Sequence, residues 1–112
     1  MVIVLHNPNH LVDGLSGAAP DLTACVPVAA LETDSLQQAF LATQNQESDQ
    51  IWVHRPGMVA LPAAWGGARS TSVGDVLIDA GGGRYLVVGD GFRRIHLAAT
   101  AIGGEDGLVA WT

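Results

Sequence analysis

The chain has no lysine. All five of its cations are arginine, set against eleven acidic residues, and the net charge is −6. Binding a phosphate backbone requires clustered cations. The one tight cluster is Arg93-Arg94 with Arg84 upstream, so a nucleic-acid partner is disfavoured. Those arginines read more simply as charge on a strand edge, where it discourages edge-to-edge pairing. A single cysteine, Cys25, excludes an internal disulfide. Within Thr23-Ala24-Cys25-Val26 it reads as a small buried hydrophobe. No apolar run approaches the ~20 residues that span a bilayer. The opening Met1-Val2-Ile3-Val4-Leu5 is short and has no basic flank, which argues against a signal peptide. The expectation is a cytoplasmic protein with no membrane partner.

What is present is apolar. Of the 112 residues, 48% are hydrophobic and only 14% charged, the composition of one folded domain rather than a disordered chain. Met1–Leu5 reads as a strand, and residues 7–20 as a turn-rich loop of Asn, Pro, Gly and Asp. Leu22–Leu31 reads as a second strand, with Pro27 demoting it to an edge or forcing a bulge. The best helix follows. Asp34 is its expected N-cap with Gln37 as capping partner, and Leu36, Ala39, Phe40 and Thr43 form one face. Gln37, Gln38 and Gln44 face water in this reading, and Asn45 ends the helix in the left-handed conformation. Phe40, the largest residue on that face, is expected at the centre of the core.

Beyond the helix, Ile51–Val53 and Met58–Leu61 are short extended runs, Pro56-Gly57 is a turn, and Trp65 lies in a loop. Asp75–Asp79 and Arg84–Val88 make the strongest hairpin, closed by Ala80–Gly83. Phe92–Leu97 is a last strand, with Arg94 and His96 outward. The expected fold is α+β, with one main helix packed on a mainly antiparallel, curved sheet that could form a partly open barrel. Residues 1–97 form the domain. Residues 98–112 are a Gly-rich C-terminal tail, which Leu108–Trp111 could dock.

No cofactor motif is present. His6 and His10 have a metal-ligand spacing, but Pro8 between them denies a shared helix face and no nearby Cys adds a ligand, so no metal is expected. Gly81-Gly82-Gly83 joins two strands and is a turn, not a phosphate loop. Ser70, Thr71 and Ser72 supply hydroxyls, His54 and His96 bases, and Asp75, Asp79 and Asp90 carboxylates. Nucleophilic catalysis needs these groups assembled, and most chains of this size contain such a list. The segment Arg69-Ser70-Thr71-Ser72-Val73-Gly74-Asp75-Val76 stands apart. Its short hydroxyl side chains can bond their own backbone. Gly74 allows positive φ, and Asp75 can accept backbone N–H groups across the turn. It reads as a structural turn leading into a strand, or as a polar recognition edge anchored by Arg69.

Three pieces in order resemble the YodL-like family of small domains from bacterial chromosomes, plasmids and integrative elements. They are the Leu-x-x-x-Phe helix Leu36–Phe40 followed by Thr43-Gln44-Asn45, the Ser-x-Ser-Val-x-Asp-Val block Ser70–Val76, and the strand Tyr85–Val88 followed by Gly91-Phe92. The resemblance covers roughly residues 28–97. The chain departs from the pattern by a longer insertion, residues 46–67, which holds two of its three tryptophans. The family brings no catalytic residues. It implies an interaction role, as a mobile-element accessory or counter-defence factor. The leading expectation is therefore a small module that binds an unidentified protein partner through a face of Trp52, Trp65 and Arg69, joined by Ser70 and Ser72. The alternatives are a small enzyme or enzyme accessory domain using the Ser70–Asp75 edge, and an acidic DNA-mimic inhibitor.

Overall fold

The computed structural model describes residues 1–16, 20–45, 52–54, 58–97 and 109–111. Seven strands form one antiparallel sheet: β1 (Val2–His6), β2 (Val26–Leu31), β3 (Met58–Ala60), β4 (Val76–Ile78), β5 (Arg84–Val88), β6 (Gly91–Leu97) and β7 (Val109–Trp111). Their order is β3-β2-β1-β4-β5-β6-β7, so the sheet is open and does not close into a barrel. The fold is α+β. The β4–β5–β6 meander follows the local turn chemistry. Asp79 Oδ1 accepts the backbone N–H groups of Gly81 and Gly83 (3.0 and 2.8 Å), which closes the first hairpin. The far half of the sheet is assembled from distant segments, with β1 between β2 and β4. The end of the tail docks as the edge strand β7 on β6, so the sheet extends beyond residue 97.

Alternation along β1 separates two apolar layers. Val2 and Val4 join Val28, Ala29, Leu31, Leu77, Val87, Ala39 and Trp52 on one face. Leu5 joins Cys25, Val76, Leu86 and Ile95 on the other, with Ile3 and Leu22 packed against them. The buried thiol of Cys25 is pushed up to about 11, chiefly by loss of solvent.

Among the described residues, two α-helices accompany the sheet. The first, α1 (His10–Ser16), occupies a stretch expected to be loop. Pro8 precedes this helix and so does not prevent it. The second, α2 (Leu36–Ala42), is the expected main helix, but Ser35 caps it, not Asp34. Ser35 Oγ accepts the Gln38 N–H (3.1 Å), and Thr33 Oγ1 donates to Gln38 Oε1 (2.6 Å). Ala39 and Thr43 are buried, while Leu36 and Phe40 are partly buried against the first layer. Phe40 meets Phe92 edge-to-face, at the border of the core rather than its centre. Gln44 turns inward and donates to the carbonyl of Thr71 (2.8 Å), and Asn45 does not adopt positive φ.

The second strand begins at Val26, because Asp21 and Thr23 close a turn before it. A bulge follows Pro27. Val4 pairs with Ala29 and Leu5 with Pro27, leaving Val28 as the extra residue. Trp52–His54 is a single 3-10 turn, not an extended segment, and Pro62–Ala64 forms another within the stretch read as loop. Ile51 and the turn expected at Pro56-Gly57 lie outside the described residues.

Candidate functional site

The polar residues singled out in the sequence converge at one end of β1, where the chain between α2 and β4 crosses it. Asp75 is the hub and is fully buried. Its Oδ1 accepts the Asn7 N–H (2.8 Å) and Arg69 Nη2 (2.8 Å). Its Oδ2 accepts the Ser72 N–H (2.8 Å) and Arg69 Nη1 (2.6 Å). A carboxylate offers about four lone-pair sites, and all four are engaged. The bidentate guanidinium is the strong form of such a pair. Arg69 also donates to the carbonyls of Ser70 (3.0 Å) and Asn7 (3.1 Å). One ion pair thereby ties β1, the 69–72 segment and the start of β4 together.

Gly74 makes the turn possible. Its φ is +87°, and a Cβ there would sit 1.8 Å from the carbonyl oxygen of His10. Gly14 in α1 approaches the same turn. A Cβ on it would lie 2.6 Å from the Gly74 nitrogen. Asn7 completes the joint, donating through Nδ2 to the Gly74 carbonyl (3.0 Å) and to Asp13 Oδ2 (2.8 Å).

A second chain of bonds starts at His6. Thr43 Oγ1 donates to the helix carbonyls of Ala39 (2.9 Å) and Phe40 (3.1 Å). Its oxygen therefore accepts from Thr71 Oγ1 (2.7 Å), and Thr71 in turn accepts from His6 Nε2 (3.0 Å). Because the chain ends on carbonyls, which only accept, the network assigns His6 the Nε2–H tautomer. His6 is then a donor to Thr71, not a base that activates it. Burial drives its imidazole from 6.5 down to about 4. The Asp75 carboxylate opposes that shift, and Arg69 and His10 add to it.

The structure does not assemble the expected face. Trp52 is wholly buried, its ring edge-on to His6 at 6.3 Å and its Nε1–H donating to the Arg69 carbonyl (2.8 Å). The segment expected to present it instead folds as a 3-10 turn that directs the indole into the core. Arg69 is committed to Asp75. Ser70 Oγ accepts the Asn45 N–H (2.7 Å), and Ser72 contributes its backbone N–H to the hub. Only Trp65 is outward, 71% exposed. Its indole is nonetheless fixed, since Nε1–H donates to the carbonyl of Ala60 in the edge strand β3 (2.9 Å). Val59, 61% exposed, lies on the same strand.

His6 and Asn7 were the residues missed as members of this cluster, while Thr71 belongs to the Ser70–Asp75 edge read from the sequence. For His6 a signal existed, because alternation puts it on the face of Val2 and Val4. Among the described residues, no group of three His, Cys, Asp or Glu is placed to hold a metal ion, and no helix is long and apolar enough to cross a membrane. Comparison of the chain with protein-family models, with characterised proteins and with solved structures gives no match.

Proposed function

We propose that this chain is a small protein-binding module whose contact surface is centred on Trp65 at the β3 edge. One observation carries the reading: a tryptophan 71% exposed yet held in a single orientation by its bond to Ala60. Exposed indoles cost water contact, and aromatic anchors dominate binding energy at protein interfaces. An anchor already fixed loses little further freedom on binding. Val59 extends the apolar surface along the strand. The hydroxyl-rich Ser70–Asp75 block serves the fold in this reading. Asp75 has no acceptor position left for a substrate proton, and His6 already donates to the one hydroxyl it meets. The resemblance of that block to the YodL-like family fits a cytoplasmic accessory protein of a mobile element.

The test is site-specific photo-crosslinking in cells that make the protein. A photoreactive residue at Trp65 should give one discrete adduct, and the same residue at Leu41, which is also exposed, should not. Trp65→Ala should then lose the captured partner while melting normally. Adducts at both positions alike, or a Trp65→Ala protein that still binds, would defeat the proposal.

A further inference from the structure

The first helix is oriented against its own amphipathicity. A surface helix ordinarily turns its apolar side to the domain. In α1 the polar and small residues face inward. Asp13 Oδ2 accepts Asn7 Nδ2 (2.8 Å), His10 Nδ1 meets the Asn7 carbonyl (3.2 Å), and a Cβ on Gly14 would lie 3.0 Å from that of Val73. The apolar residues face out: Leu11 is 56% exposed, Val12 70% and Leu15 81%. Leu11 and Leu15 are one turn apart with Val12 beside them, so the three form one knob. Together they expose roughly 350 Å², the scale of the largest apolar patch on a typical monomer, which is often functional.

Val73, against which α1 rests, also borders an open hollow of about 520 Å³. Phe40, Val87, Val88 and Phe92 supply much of its apolar border, with the two phenylalanine rings 6.2 Å apart, and Asp90 is the one charged residue there. An apolar cavity of ~150 Å³ holds a benzene-sized group, so this hollow has room for three aliphatic side chains. The knob does not enter the hollow of its own chain, because the Asn7 and Val73 contacts hold α1 with that side turned outward.

We propose that a second copy of this chain covers both features, each α1 knob seated in the hollow of the other. Helix and hollow adjoin at Val73, so a two-fold axis there makes the surface self-complementary and the assembly closed. Area favours this occupant. A partner that took the knob alone would cover roughly 350 Å² of this chain, well short of the ~800 Å² per partner of a stable interface. Reciprocal seating engages knob and hollow on each copy and brings the covered area to roughly 700 Å² per copy. Asp90 meets no like charge, since Leu11, Val12 and Leu15 are neutral. The surface lies beside β5, four strands from the Trp65 edge at β3, and stands whether or not that edge binds a protein.

The experiment is sedimentation velocity on the full chain from micromolar to millimolar concentration. The wild type should pass reversibly from monomer to dimer. Leu15→Glu spoils the knob. Gly89→Leu fills the hollow from an exposed position on its border, where an added Cβ meets nothing within 4 Å. Each should weaken dimerisation at least tenfold and leave the melting temperature unchanged. When the two variants are mixed, both defects fall in one of the two contacts and the other contact is intact. Nitrogen-15-labelled Leu15→Glu should therefore show saturable shifts of its Val88 and Phe92 amides with unlabelled Gly89→Leu, and none with unlabelled Leu15→Glu. Three results would each overturn the proposal. They are a wild type that stays monomeric at millimolar concentration, even where α1 is found on a different protein; a dimer weakened by Leu15→Glu but not by Gly89→Leu, which would mean helix packed on helix; and a mixture without shifts.

Discussion

Acid should weaken this fold well above the pH at which carboxylates titrate, and His6 is the reason. In the folded chain its imidazole stays neutral down to about pH 4, because burial strips the charged form of solvent. In the unfolded chain it takes up a proton near 6.5. Between those values the unfolded state binds more protons, so stability falls as the pH falls. The stabilising term is fully present above 6.5 and is lost progressively towards 4. The span is about 2.5 pH units. At 1.36 kcal/mol per unit this is about 3 kcal/mol, with the opposing pull of Asp75 already counted in it. Urea titrations at pH 7.0, 5.5 and 4.5 read the loss directly, with a constant m-value confirming that the same transition is followed. His6→Gln keeps a side-chain N–H for Thr71 but cannot be protonated, so its stability should be nearly flat over the same range. A wild-type stability that does not change between pH 7.0 and 4.5 would refute the assignment of a buried neutral His6. So would a His6→Gln protein that loses as much as the wild type.

Three further perturbations separate the roles assigned to the polar hub and the tryptophans. Trp52→Ala should cost about 3–5 kcal/mol in denaturant titration, as loss of a fully buried indole does, whereas Trp65→Ala should cost less than about 0.5 kcal/mol. A neutral quencher should correspondingly reach Trp65 and spare Trp52 in single-tryptophan proteins. Asp75→Asn leaves the Arg69 guanidinium without its charge partner and turns an N–H donor towards other donors. It should destabilise by about 3 kcal/mol in the same titration, and Asp75→Ala should not be milder. Gly74→Ala should lower the melting temperature far more than Gly66→Ala, since a Cβ at Gly74 strikes His10 and one at Gly66 meets nothing within 4 Å.

What the sequence revealed followed how local each feature is. The β4–β5–β6 meander is legible because Asp79 and the glycines after it encode its first turn within a few residues. The main helix is legible from the spacing of Leu36, Ala39, Phe40 and Thr43, but its cap slipped by one residue because Asp34 and Ser35 are both good caps. The place of β1 inside the sheet, between β2 and β4, is not legible. Its pairing with β4 spans more than seventy residues, and no local signal specifies it. The helix α1 hides in a stretch rich in turn formers. None of its residues is buried, so no apolar stripe advertises it, and its seat on the Gly74 turn depends on two glycines sixty residues apart. The hub was half visible. The turn at Gly74-Asp75 could be read from its residue types, but the arginine that neutralises Asp75 was assigned to a surface. Opposite charges six residues apart across a glycine turn, as in Arg69 and Asp75, are the signal that could have joined them.

The fixed indole also bears on how a partner could sit. An edge strand exposes backbone N–H and C=O groups that another chain can pair with, and proteins commonly block this. Here the block is Trp65. The Leu61 N–H turns inward to the carbonyl of Val28 (2.9 Å), and the carbonyl of Ala60 is taken by the indole. A partner adding a strand to β3 would need that carbonyl and would have to displace the ring. Displacement would cost a hydrogen bond and leave a mobile tryptophan in water. Contact with the ring as it stands costs neither and covers apolar surface. The geometry therefore favours a partner that receives Trp65 in a pocket over one that extends the sheet. Under that mode Trp65→Phe, which keeps an aromatic body but lacks the indole N–H, should do two things at once. It should weaken pocket binding by freeing the ring, and it should expose the Ala60 carbonyl to strand pairing, so that the variant self-associates through β3 where the wild type does not.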